Sequence, residues 1–127
     1  MAAPEVEEFA RLLITHVRDM AVAGCDISLS PDSNDAMALR WQKKLQSEAS
    51  AELAAEMIPD CVDDTVFYLL NAIDQGLLKI SFTSASGKIV DLSEVGDSEM
   101  SGWYMATKGW RAKYSKERFN DDFADLV

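Results

Sequence analysis

The chain has 127 residues, 48% hydrophobic and 27% charged, with 22 acids, 12 bases and a formal net charge of −10. That length and apolar content suit one domain with a core that needs no disulfide or metal staple, and they exclude wholesale disorder. The apolar runs fall far short of the roughly 20 residues a membrane span requires, and the negative balance argues against general binding to nucleic acid.

"MAAPEVEEF" carries acids where a signal peptide carries bases, so a cytoplasmic location is expected. Pro4 suits a first helical position, and Glu5, Glu7 and Glu8 suit the positive end of a helix dipole. Val6, Phe9, Leu13, Val17 and Met20 then recur at helical spacing, with Leu12 and Ala21 widening the stripe. Gly24 is expected to stop this helix. "CDISLSP" alternates apolar and polar residues, which reads as a short strand or an extended connector. "SPDSND" offers N-caps for a second helix carrying Met37, Trp41 and Leu45, continued by Ala49, Leu53 and Met57 with room for a break near 46–50. Pro59 is expected to end it.

Asp60 then reads as the cap of a third helix, with Asp63 in its first turn and Val62, Val66, Leu69, Leu70 and Ile73 on its buried side. Gly76 followed by Leu77 fits a left-handed C-terminal cap. "LKISFT", "SASGK" and "IVDL" predict one β-hairpin over about 78–92 with a loop of four or five residues. "SEVGDSEMSG" reads as a loop, 108–115 as helix, and Ser115 as the cap of a last helix whose Phe119, Phe123 and Leu126 share a face. The predicted fold class is α+β, mostly α: a single domain over 1–127 with three or more bundled helices, the hairpin and a C-terminal helical segment.

Chemistry-bearing patterns are few. His16 is the only histidine and has no evident dyad partner, so it reads as structural or solvent-facing. Cys25 and Cys61 lack metal-ligand spacing and are expected to be two buried free thiols. Glu-x-x-His pairs for a di-iron bundle are missing. "DLSEVGDSEMSG" places Asp91, Ser93, Gly96, Asp97 and Glu99 on an EF-hand count, but Val95 and Gly102 stand where a chelator and a bidentate glutamate belong. A solvated acidic loop explains it better. "SASGKI" lacks the glycine spacing of a phosphate loop. Asp60, Asp63 and Asp64 cluster at a presumed helix start, where capping accounts for them without catalysis. No metal and no cofactor is therefore expected.

The stretch "SGWYMATKGWRAKYSKERF" reverses the local charge, since 108–118 holds five bases against Glu117 alone. Helical spacing aligns Trp110 with Tyr114 and turns Arg111 about 100° away. Trp110 and Phe119 are thus expected inside, with Arg111 and Arg118 in solvent. Trp103, Tyr104, Arg111 and Arg118 are interface candidates by residue type; Asp60, Asp63, Asp64, Asp97 and Glu99 are candidates by charge.

These features point to a small acidic cytoplasmic protein-binding module without intrinsic catalysis, of the inhibitor or immunity type, for a basic protein partner. Two alternatives stand beside it. One is a small enzyme or ligand-binding domain with a pocket between hairpin and C-terminal helices, using Tyr104, Arg111 and a carboxylate such as Asp64. The other is a self-associating subunit of a larger assembly.

Overall fold

Helix α1 (Pro4–Leu13) begins at the proline, with Glu5 and Glu7 in its first turn. In the computed structural model, which describes residues 2–122, the chain does not leave the helix there. It passes through a π-helical turn (Ile14–Arg18) into α2 (Asp19–Leu29). A π turn holds one extra residue, and this one rotates everything after it. Up to the first residue of the turn, Val6, Ala10, Leu13 and Ile14 face inward; from its last residue on, Arg18 and Val22 do. Val17 and Met20, expected on the buried stripe, are instead 54% and 63% exposed. One inserted residue has exchanged a valine for an arginine in the interior.

Gly24 does not stop the helix, and "CDISL" is its last turn and a half rather than a strand. A helical glycine costs only about 1 kcal/mol, which α2 offsets by packing on both α3 and α4. A Cβ at Gly24 would meet nothing within 4 Å. Gly24→Ala is therefore expected to stabilise the protein by about 0.5–1 kcal/mol, read as a higher urea midpoint.

Asp35 caps α3 (Ala36–Gln42), accepting from the Ala38 N–H at 2.8 Å. The chain breaks over 43–47, and Ser47 caps α4 (Glu48–Asp74). This helix runs 27 residues straight through Pro59, so the predicted boundary there is wrong. Proline cannot donate to the carbonyl four residues back, here that of Ala55. Arg118 Nη2 donates to that same oxygen at 2.6 Å, and Asn120 Nδ2 donates to the next carbonyl, of Glu56, at 3.1 Å. A segment 59 or more residues downstream thus supplies what the proline withholds. Arg118→Ala should cost about 1–1.5 kcal/mol in the native background and about 0.5 or less beside Pro59→Ala, where an amide is restored. A double-mutant cycle by urea melts measures the difference; equal costs in both backgrounds would contradict this account.

Gly76 takes φ 73° just beyond α4, as the left-handed cap requires. The hairpin is shorter than its alternation suggested: β1 (Ser81–Thr83) pairs antiparallel with β2 (Ile89–Asp91), Phe82 opposite Val90, across a five-residue connection. The predicted loop that follows contains two short helices, α5 (Leu92–Val95) and α6 (Met100–Met105). Asp91 caps α5, donated to by the Ser93 N–H. The amides of Met100 and Ser101 donate to the Asp74 carboxylate, so α4 caps α6 from 26 residues away. α7 (Trp110–Tyr114) is the last helix among the described residues. Residues 115–122 are not helical, which corrects the expected last helix; Phe123 and Leu126 lie outside the described residues.

The fold is thus mostly α with one small two-stranded antiparallel sheet. Its core joins α1, the second half of α4, the hairpin, α6 and α7 around Ile14, Leu70, Ile73, Met100, Tyr104 and Trp110. The first half of α4 and α3 lie beside that core, each packed on α2. Among the described residues no helix is long and apolar enough to cross a membrane.

Candidate functional site

The π turn delivers Arg18 to Asp63, which α4 can present because Pro59 does not end it. Arg18 Nε donates to Asp63 Oδ1 at 3.0 Å and Nη2 donates to Oδ2 at 3.2 Å, a bidentate pair. The Tyr104 hydroxyl donates to Oδ1 at 2.6 Å and Arg111 Nη1 to Oδ2 at 2.9 Å. Four donors fill the acceptor positions of one carboxylate. Arg18 and Tyr104 are 0% exposed, Asp63 and Arg111 2%. Asp19 balances the second guanidinium, accepting from Arg18 Nη1 at 3.0 Å and from the Ser115 hydroxyl at 2.8 Å.

Burial alone pushes the Asp63 carboxyl up, but the hydrogen bonds from Arg18, Tyr104 and Arg111 outweigh it and hold it below the usual carboxylate range. Burial and the bond to Asp63 push the Tyr104 hydroxyl upward, so it stays a donor. Arg111 lies over the Phe119 ring at 4.7 Å, Nη2 reaches the Met105 carbonyl, and Nε has no partner among the described residues. A second knot ties α1 to α7. Glu7 accepts from Trp110 Nε1 at 3.0 Å and from the Tyr114 hydroxyl, which burial and Glu7 push up to about 12.

Tyr104, Arg111 and Asp63 line none of four cavities of about 300, 440, 310 and 650 Å3. Among the described residues the cluster is closed to solvent, and it ties the π turn, α4, α6 and α7 together. This corrects the sequence reading in three places. Arg111 is buried rather than in solvent, the interface candidate Tyr104 is fully buried, and Asp63 is buried mid-helix rather than in the first turn of a helix capped by Asp60. Trp110 is buried as expected, while Phe119 is half-buried and Trp103 is half-buried against Trp110, ring centres 5.8 Å apart. Arg118 is exposed but engaged with Asp26 at 2.6 and 2.9 Å. Asp60 is exposed and accepts from Asn120 at 2.9 Å; Asp64 is exposed. Asp97 and Glu99 sit exposed in the turn between α5 and α6, far along the chain from the other acids. Among the described residues no three metal-ligating side chains converge.

The surface left open is elsewhere. α3 and α4 both pack on α2, and between them lies an apolar groove of about 440 Å3 floored by Leu29, Trp41, Leu45, Met57, Ile58 and Val62. Cys25 and Cys61, both unbridged, also face it, but Cys25 is half-buried and Cys61 exposed, which corrects the burial expected of the two thiols. A second hollow of about 310 Å3 continues it past Trp41 and Leu45 toward Pro31. On α4 the residues fall in parallel rows four apart. Ala54, Ile58 and Val62 make one row and Leu53, Met57 and Cys61 the next. Beside them runs Glu48, Glu52, Glu56, Asp60 and Asp64, all exposed. Acids four apart repel on a helix by about 0.2–0.5 kcal/mol per pair, and no base in the row relieves them. This row was readable in the sequence, but a helix boundary placed at Pro59 cuts it in two.

No protein-family model, curated protein or solved structure matches the chain.

Proposed function

We propose that the chain is a protein-binding module whose groove between α3 and α4 takes a cationic, amphipathic helical segment of another protein. The observation that carries this reading is the acidic row of α4 beside the Leu53, Met57 and Cys61 row, at the margin of a groove whose one charged lining residue, among those described, is Lys44. An amphipathic helix laid in an apolar groove buries its hydrophobic stripe, and bases along its edge would offset the repulsion within the acidic row. Residues 19–64 carry ten acids and three bases, a net −7, so a basic partner is steered inward from a distance. An inhibitor or immunity-type role, in which rapid capture of a basic protein matters, fits this arrangement. The buried cluster supports the reading indirectly, because it gives Tyr104 and Arg111 a structural task instead.

The test uses a synthetic Leu/Lys amphipathic peptide of about 18 residues, five helical turns, and its Leu/Glu twin. Calorimetry should find a Kd on the order of 1–10 µM for the Leu/Lys peptide and no measurable binding for the twin. Met57 is exposed, so Met57→Asp should fold normally yet weaken binding at least about tenfold. Native affinity in Met57→Asp would mean that only long-range charge is at work, and would overturn the groove as the docking site.

A further inference from the structure

The π turn does more than bring Arg18 inward. It also faces residues of the α1–α2 helix outward toward the chain leaving α7. Between them lies a cavity of about 650 Å3, the largest of the four, whose lining includes the cations Arg11, Lys113 and Lys116, the acids Asp19 and Glu117, and His16 and Met20. In a chain of net charge −10, three cations and the only histidine meet here.

Three cations against two acids leave a net +1 among the lining residues, and one of the acids is engaged elsewhere. Both Asp19 oxygens are already used, by Arg18, the Ser115 hydroxyl and the Lys116 N–H. Lys113 reaches Glu7 only at 3.5 Å, with its side chain 55% exposed. The side chains of Arg11, His16 and Lys116 have no hydrogen bond or ion pair among the described residues. Arg11 offers a planar fork, Lys116 a point charge and His16 a ring N–H. Guanidinium and ammonium groups together are the donors that recognise a phosphate. Met20, 63% exposed at the same cavity, supplies an apolar wall. The volume falls within the range of small-molecule sites, and π turns recur at functional sites.

We propose that this cavity is a binding site for a small organic phosphomonoester, its phosphate held by Arg11 and Lys116 beside His16 and its organic part against Met20. The site shares no lining residue with the groove between α3 and α4, so the two readings stand or fall separately.

The single histidine makes the test direct, because its imidazole carbon-bound protons give one isolated set of NMR signals. Phenyl phosphate is titrated into the full-length protein at constant ionic strength, with phenylacetate, phenol and sodium chloride as parallel additions. Phenyl phosphate should shift the His16 signals saturably with a Kd of about 1 mM or below. Phenylacetate and phenol should bind at least about tenfold more weakly. Arg11→Gln combined with Lys116→Gln alters only exposed side chains, and should weaken phenyl phosphate at least about tenfold with an unchanged circular dichroism spectrum. Lys43→Gln with Lys44→Gln, outside the cavity, should leave the affinity as it is. A linear drift matched by sodium chloride, or undiminished affinity in the Arg11/Lys116 variant, would overturn the site.

Discussion

Asp63→Ala is expected to be the most damaging single substitution in the chain, costing about 3–5 kcal/mol or more. The carboxylate accepts from Arg18 twice, from Tyr104 and from Arg111. Its loss leaves two buried guanidinium groups with Asp19 as the remaining counter-charge, and a buried hydroxyl without an acceptor. Against a total stability of about 5–15 kcal/mol, ordinary for a domain, the variant will be partly or wholly unfolded. Asp63→Asn, which keeps the shape but not the charge, provides a measurable companion by urea melts. The same carboxylate gives an acid limb to stability. Its folded pKa lies below the unfolded value, so its contribution is present above about pH 4 and is lost as pH falls through the folded value. In Asp63→Asn that part of the acid limb should disappear. A loss under about 1 kcal/mol, or an unchanged acid limb, would show that the cluster does not hold the fold.

Arg111→Ser is expected to cost about 2–4 kcal/mol, close to the 3–5 kcal/mol that Trp110→Ala should cost as a buried large aromatic. A surface arginine would cost roughly 0.5 kcal/mol or less. The difference arises because Arg111 bonds Asp63 and the Met105 carbonyl under the rings of Phe119 and Tyr104. The cost stays below that of Asp63→Ala because Arg18 still pairs the carboxylate. Arg111→Met should cost less than Arg111→Ser, since methionine keeps apolar volume beneath Phe119. A neutral Arg111→Ser would place the side chain back in solvent.

The helical character and the hairpin were legible because each rests on local signals: stripe spacing, the caps offered by "SPDSND", and alternation about a Gly87 turn. The sequence leaves the break before α4 open near 46–50, although Ser47 offers a cap there. Three features were not legible, each for a nonlocal reason. Val17 continues a regular helical spacing so well that nothing local marks the π turn which displaces it. Pro59 is a helix stop unless something else satisfies the Ala55 carbonyl, and Arg118 does so from the far end of the chain. α6 lacks a cap of its own because Asp74 provides it. Of the candidate residues, Tyr104, Arg111 and Asp63 do come together, but as a closed cluster rather than a face. Their burial follows from Arg18, whose inward turn no local pattern announces. The acidic row of α4 lay in plain view but needed an unbroken helix to be recognised.

The central claim is that the protein-docking surface lies between α3 and α4 and not on the aromatic side chains near the C-terminus. The three tryptophans divide between the two: Trp41 floors the groove, while Trp103 and Trp110 pack on one another at the core edge. The deciding measurement is a nitrogen–proton correlation spectrum of the three indole N–H signals during titration with the Leu/Lys peptide. The account predicts that the Trp41 signal moves saturably while those of Trp103 and Trp110 stay in place. Movement of the Trp103 or Trp110 signal with Trp41 unchanged would contradict it.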